Sequence, residues 1–201
     1  MATIIALTSN KGGTGKTTIA LGLAGALAEQ QFRILLIDMD QQGNATSGTG
    51  QPCPTQHHVG TWLRGQSAFE ETVLKGNKGI DLIPAGQEII QHEQLLSAER
   101  GVEWALSDNL KVCQDQYDYI LIDCPPNLGV MTFIALTAAH FYIVPMQGEN
   151  FAYLGLESIQ KCVLSVQRKY NPDLRLAGIA LNKFQLKTRF GKALYDQLSA
   201  N

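Results

Sequence analysis

TIIALTSNKGGTGKTT at residues 3–18, followed by RILLIDM at residues 33–39, is the stretch from which the fold is read. Thr3 to Leu7 is a short β-branched apolar run, which predicts a strand buried on both faces. Ser9 to Gly15 is a Gly-rich loop. Thr17 to Gln31 carries Ile19, Leu23, Ala26 and Leu27 at helical spacing, and Arg33 to Met39 predicts a second buried strand. A strand, a loop, a helix and a strand in that order form the unit from which parallel sheets are built.

Working outward, Gln41 to Gly65 is rich in Gly, Thr and Gln and reads as irregular. Ser67 to Lys75 predicts a short helix, Ile80 to Pro84 a strand, and Gln87 to Gln116 two helices broken near Gly101. Tyr119 to Asp123 predicts a strand that runs into Cys124, Pro125 and Pro126. Thr132 to His140 predicts a helix, Phe141 to Met146 a strand, Leu154 to Tyr170 a long helix, Arg175 to Leu181 a strand and Thr188 to Ser199 a final helix. Strands alternate with helices, and no repeat or linker interrupts them. Residues 1–201 therefore read as one α/β domain, doubly wound, with a mainly parallel sheet and helices on both faces.

Composition narrows the class. The chain has 201 residues, 45% hydrophobic and 17% charged, enough for one substantial core and unlike a disordered chain. A net charge of −2 gives no overall sign of nucleic-acid binding, though a local basic patch stays open. Cys53, Cys113, Cys124 and Cys162 form no CxxC pair, so they read as reduced thiols. No apolar run reaches the ~18 residues that span a bilayer, and MATIIALTSNKGG lacks the features of a secretion signal. A cytoplasmic protein is expected.

Residues 11–18, KGGTGKTT, lie between a predicted strand and a predicted helix, the setting that a phosphate-binding loop requires. Glycines Gly12, Gly13 and Gly15, with Thr14 between them, let backbone N–H groups turn toward phosphate oxygens. The helix N-terminus adds its partial positive charge. Lys16 is placed to reach the β- and γ-phosphates, the Thr17 hydroxyl to bind Mg²⁺, and Thr18 to hold the α-phosphate. Asp123 ends the strand YILID and is the residue type that holds Mg²⁺ directly or through water.

The usual pattern, GxxxxGK(S/T), is not met strictly, because position 10 is Asn10 and a second lysine, Lys11, opens the loop. The KGGxGKTT form resembles the deviant phosphate loop of the ParA/MinD family of ATPases. LLIDMDQQGNAT, with Asp38 and Asp40, is similar to the DxDPQGNAT stretch of its ParA branch, with Gln41 where Pro is usual. PMQGENFAYLGL, with Gln147, Glu149 and Phe151, is similar to PxQxEYFALxGL. The resemblance implies that Lys11 crosses an ATP-dependent homodimer to the partner's phosphates. It implies that Asp40 positions the attacking water, that Asp38 supports the metal shell, and that Asn182 reads adenine. A strand-end Asn can equally be a simple cap. The stretch around Glu149 is placed near the nucleotide and the dimer face, or is merely the start of a helix.

The family's activity would then be hydrolysis of ATP, with Mg²⁺, by a dimer that binds non-specific duplex DNA and answers to a ParB-like or other cargo-adaptor protein. Plasmid or chromosome partition is the favoured expectation, with nucleoid association. Positioning of a protein assembly, such as carboxysomes or chemoreceptor arrays, is the alternative. A small-molecule ligase or kinase of the dethiobiotin-synthetase-like fold is the alternative from another class. Lys183, Lys187, Arg189 and Lys192 make either a solvated helix face or a DNA-contacting patch. KALYDQLSAN is not the basic membrane helix of MinD-like proteins, so no membrane partner is expected. ParA proteins with a middle region of this length continue for about another strand and helix, so the resemblance implies that residues 1–201 are short of that part of the domain. His57 and His58 read as part of a polar loop, His92 as a surface residue and His140 as a helix-end residue. Trp62 and Trp104 read as packing residues.

Overall fold

Apolar residues that follow one another without a break in a strand must be covered on both sides, and this requirement sets the architecture. The computed structural model describes residues 1–52, 54–147 and 152–184. In chain order these residues form β1 (Thr3–Leu7), α1 (Lys16–Glu29), β2 (Ile34–Asp38), α2 (Asn44–Gly48), α3 (Val59–Leu63), α4 (Phe69–Thr72) and β3 (Ile80–Ile83). They continue with α5 (Ile89–Ala98), α6 (Ala105–Leu110), β4 (Tyr119–Asp123), α7 (Val130–Ala138), β5 (Phe141–Gln147), α8 (Ala152–Lys169) and β6 (Arg175–Asn182). The six strands form one sheet in the order β3-β2-β4-β1-β5-β6, with every neighbouring pair parallel.

Alternation along each strand divides the core in two. Ile34 and Leu36 of β2, Leu121 of β4 and Leu82 of β3 face α1 and α2, where they meet Ala20, Ala24, Ala28 and Ala45. Leu35 and Ile37, Ile120 and Ile122, and Ile83 face the opposite layer. There they pack with Ile89 and Leu96 of α5, Leu106 and Leu110 of α6, Met131, Ile134 and Ala135 of α7, and Ile159, Val163 and Val166 of α8. The small residues Ala20, Ala24 and Ala28, four apart on α1, let that helix lie close to the sheet and hold its N-terminus against the loop after β1. Cys113, Cys124 and Cys162 are buried free thiols; Cys53 lies outside the described residues. So does the predicted helix 188–199.

Two segments differ from the sequence expectation. The stretch from 41 to 65 contains α2 and α3, because tertiary hydrogen bonds organise a composition that is poor in helix formers. Within 67–75 only Phe69–Thr72 is helical, and Leu74 turns away to bridge Leu82 in antiparallel fashion. The histidines differ as well. His58 is 1% exposed. It caps α3, with Nδ1 accepting from Gly60 N at 3.2 Å, and its ring meets the edge of His92 on α5 at 5.0 Å. Gly60 permits this approach, since a Cβ there would lie 2.8 Å from the Cβ of His92. Neither the cap nor the ring contact has a local sequence signal, because His92 comes from another helix. Trp62 is in the core, whereas Trp104 is 42% exposed and rests edge-on against Tyr170 at 6.1 Å. His140 accepts from Ile4 N through Nδ1 at 3.1 Å.

Burial holds the His58 pKa below its ordinary value. His92 and His57 push it further down, and Glu88 pulls it back. His92 is lowered in the same direction by burial and by Arg64. A depressed folded pKa means that the capping contribution is present above the ordinary value of about 6.5 and is lost as pH falls through the folded value. Asn is also a good cap but does not titrate. The melting temperature of the wild type should therefore fall relative to that of His58→Asn as the pH is lowered from 7 to 5. A difference that does not change with pH would show that His58 has the same pKa folded and unfolded, against the depression that burial imposes.

Candidate functional site

In a parallel sheet all the strand C-termini point to one edge, and here the residues singled out from the sequence gather along it. The loop after β1 turns through Gly13 at φ 76° and Gly15 at φ 96°, both left-handed values that suit glycine. Gly15 is the N-cap of α1 and offers no side chain, so the first N–H groups of that helix are left to face an external acceptor. Lys16 is nearly buried, and its Nζ donates to Ser9 Oγ at 3.1 Å. The Ser9 and Thr14 hydroxyls are paired at 3.0 Å. Lys11 is exposed.

Beneath the loop lie two carboxylates from adjacent strand ends, Asp38 and Asp123, which are register partners across β2 and β4. Both are fully buried. Thr17 Oγ1 donates to Asp123 Oδ2 at 2.6 Å, while Asp123 Oδ1 is buried and has no partner among the described residues. Burial pushes the Asp123 pKa up to about 7. The Thr17 hydrogen bond opposes this, Asp38 adds to it, Lys16 opposes it and Asp40 adds to it. A buried acceptor left open beside a hydroxyl, at the mouth of a phosphate-type loop, suits a hard cation that prefers oxygen ligands. Among the described residues no cluster of three His, Cys, Asp or Glu side chains could hold a metal ion. A divalent ion here would therefore draw most of its oxygens from water and a bound phosphate chain.

Asp38 is used differently. Its Oδ2 accepts from both Thr46 N and Thr46 Oγ1 at 2.8 Å, and its Oδ1 accepts from Asp40 N at 3.1 Å. Thr46 Oγ1 in turn accepts from Ala85 N at 3.0 Å. Burial raises the Asp38 pKa to about 6 against the three hydrogen bonds, which lower it, and Asp40 adds to the rise. These bonds tie the segment after β2 to the sheet through Asp38. That segment turns at Gly43, at φ 58°, where a Cβ would meet Ala85 O at 2.6 Å. Asp40 is nearly buried, accepts from Gln42 N at 3.0 Å and lines the cleft.

The cleft measures about 530 Å³ and is bordered by Gly12, Gly13, Gly15, Lys16, Thr17 and Thr18 on one side. Asp40, Gln42, Asn44, Pro126 and Asn182 border it elsewhere. Of the site residues read from the sequence, Gly12, Gly13, Gly15, Lys16, Thr17, Thr18, Asp40 and Asn182 line the cleft; Asp38 and Asp123 are buried beneath it, and neither Lys11 nor the buried Thr14 borders it. Asn182 lies at the rim, but its Nδ2 donates to Thr14 O at 3.1 Å. Gln147 donates to Gly13 O. Glu149, Phe151, Lys187, Arg189 and Lys192 lie outside the described residues. Sequence reasoning missed Ser9, Thr46 and Gln42 as parts of the site. Only the position of Ser9, directly before the loop, offered a signal. Among the described residues no helix is long and apolar enough to cross a membrane.

Comparison with known proteins agrees with this geometry. A family model described as an AAA domain matches residues 2–176. The sporulation initiation inhibitor protein Soj of Bacillus subtilis is 36% identical over 200 residues, covering 98% of this chain and 79% of that protein. The chromosome partitioning protein ParA of Myxococcus xanthus is 35% identical over 202 residues, covering 97% and 70%. Among solved structures, a cobyrinic acid a,c-diamide synthase from Mycobacterium smegmatis with bound ADP and magnesium superposes with a TM-score of 0.93. It is 33% identical, and the match covers 100% of this chain and 82% of that one.

The raised Asp123 pKa has a testable consequence for the ligand-free chain. Its contribution to stability is fully present below the ordinary carboxylate value and is lost as pH rises through about 7. Asn keeps the acceptor for Thr17 and cannot ionise. In chelator, Asp123→Asn should be more stable than the wild type at pH 8, by on the order of 3 kcal/mol, and the gap should narrow to about half at pH 5.5. Denaturant titration at the two pH values measures it, and equal stability at pH 8 would contradict the burial argument.

Proposed function

This chain belongs to the ParA/MinD-type P-loop ATPases, and from that membership we propose that it is an ATP-hydrolysing, dimerising protein that moves or positions a cargo. The observation that carries the reading is the Thr17–Asp123 pair with its open buried oxygen, placed under a glycine loop and beside Lys16. That is the equipment for a triphosphate with a divalent ion.

ATP would lie along the loop, with its phosphates on the N–H groups of the loop and of the first turn of α1. Lys16 would exchange Ser9 for the β- and γ-phosphates. Thr17 and Asp123 would hold Mg²⁺, whose chemistry is to neutralise charge on the phosphate chain. Asp40, held at the cleft wall by its own turn, would position the attacking water. Lys11 stands outside the cleft of its own chain, which suits a cation delivered to a second copy. There it would stabilise charge developing on the transferred phosphate.

In this reading the ATP-bound dimer holds duplex DNA through phosphate contacts and without sequence preference. An adaptor of the ParB kind, carried on the cargo, stimulates hydrolysis and releases the dimer. Partition of a plasmid or chromosome is favoured, because two curated relatives named for sporulation control and chromosome partitioning match nearly the whole chain. A second reading, ATP-dependent modification of a small molecule, is favoured by the similarity to a structure named as a diamide synthase.

Two experiments test the proposal. Lys11→Ala should bind ATP as the wild type does, yet lose the nucleotide-dependent dimer and roughly 10²-fold or more of stimulated hydrolysis. Unchanged turnover would remove Lys11 from the mechanism. Binding to non-specific duplex DNA should require ATP rather than ADP and should weaken steeply with salt. Equal binding with either nucleotide, or none with both, would argue against a DNA-tethered cycle and favour the small-molecule reading.

A further inference from the structure

A phosphate loop that turns its N–H groups into the cleft leaves its carbonyls facing the protein, where they need donors. Three of these carbonyls are met by side chains. Ser9 Oγ donates to Lys11 O at 3.0 Å, the Gln147 amide to Gly13 O, and Asn182 Nδ2 to Thr14 O at 3.1 Å. The two amides come from neighbouring strand ends, since Gln147 and Asn182 are register partners across β5 and β6. They take consecutive carbonyls of the loop.

The orientation of the second amide is set at its other end. Asn182 Oδ1 accepts from Lys183 N at 2.9 Å, so Nδ2 is the atom turned to the loop. Lys183 has φ 49°, a left-handed value uncommon for a lysine. Gly15 makes room for the contact, because a Cβ at that position would lie 2.2 Å from Asn182 Nδ2. Gly15 is therefore required twice, by its own φ of 96° and by the amide against it.

We propose that Gln147 and Asn182 are a pair of positioning residues that hold the phosphate loop in its binding shape. Asn182 thus acts on the phosphate chain through the loop and not on the base. The inference rests on the nucleotide reading above and deepens it. Selectivity for adenine then comes from elsewhere in the cleft, and weakening the clamp affects any ligand that carries the phosphate chain.

Tripolyphosphate separates the two roles, because it has the phosphates of ATP and no base. Affinities of Mg²⁺ with ATP, GTP and tripolyphosphate would be measured by calorimetry on the full chain as wild type, Gln147→Glu, Asn182→Asp and Asn182→Ala. Each substitution removes a donor N–H and should lower the affinity for tripolyphosphate and for ATP by the same factor, roughly threefold to tenfold. The ratio of ATP to GTP should not move. The Asn182→Asp loss should recover beyond the Asn182→Ala level on acidification, when the protonated carboxyl can again donate to Thr14 O, a response that general weakening of the fold would not produce. Melting curves establish that the variants fold, and should Asn182→Asp not fold, Asn182→Ala carries the tripolyphosphate comparison alone. Unchanged tripolyphosphate binding, or a shifted ratio of ATP to GTP, would overturn the clamp in favour of base recognition. A wild type that binds none of the three ligands would overturn the nucleotide reading itself, and the clamp with it.

Discussion

The site depends on the parallel alignment of strands. With every strand running the same way, Leu7, Asp38, Asp123, Gln147 and Asn182 all end at one edge of the sheet. Each loop that leaves that edge starts from a rigid, hydrogen-bonded strand, so side chains far apart in sequence are held at the same level. A sequence separation of 106 between Thr17 and Asp123 collapses to a 2.6 Å hydrogen bond for this reason. The close seating of α1 on its alanine stripe fixes the other partner in that bond.

The same edge carries an electrostatic load. Two carboxylates without full hydration lie side by side, and each raises its affinity for a proton, chiefly through burial. They resolve it in different ways. Asp38 fills its oxygens with N–H and O–H donors from Thr46 and Asp40 and so becomes part of the scaffold. Asp123 keeps one oxygen open and so retains capacity for a cation. Neighbouring positions with the same side chain are thereby divided between building and binding, by the number of donors each is given.

Much of the fold was legible in the residues. The β-branched runs at 3–7, 34–38 and 119–123 are buried on both faces, which is why an unbroken apolar pattern located them correctly. The long helix α8 and the strand after it also fell close to where the sequence placed them. The segment 41–65 was illegible because its helices are held by contacts from outside it. The carboxylate of Asp38, the backbone of Ala85 and the ring of His92 organise residues whose own propensities point to loop.

By itself the sequence determined the alternation of strand and helix, the glycine loop with its lysines, and the family. These follow from local spacing and residue type, which need no knowledge of distant neighbours. Only the tertiary structure decided the working partners of the polar groups. It joined Thr17 to Asp123, turned Asp38 inward to Thr46, buried His58 against His92, and set Gln147 and Asn182 on the carbonyls of the loop. The physical reason is that a hydrogen bond is fixed within a few tenths of an ångström by the register and seating of whole elements. Sequence spacing encodes that register only through the fold it produces.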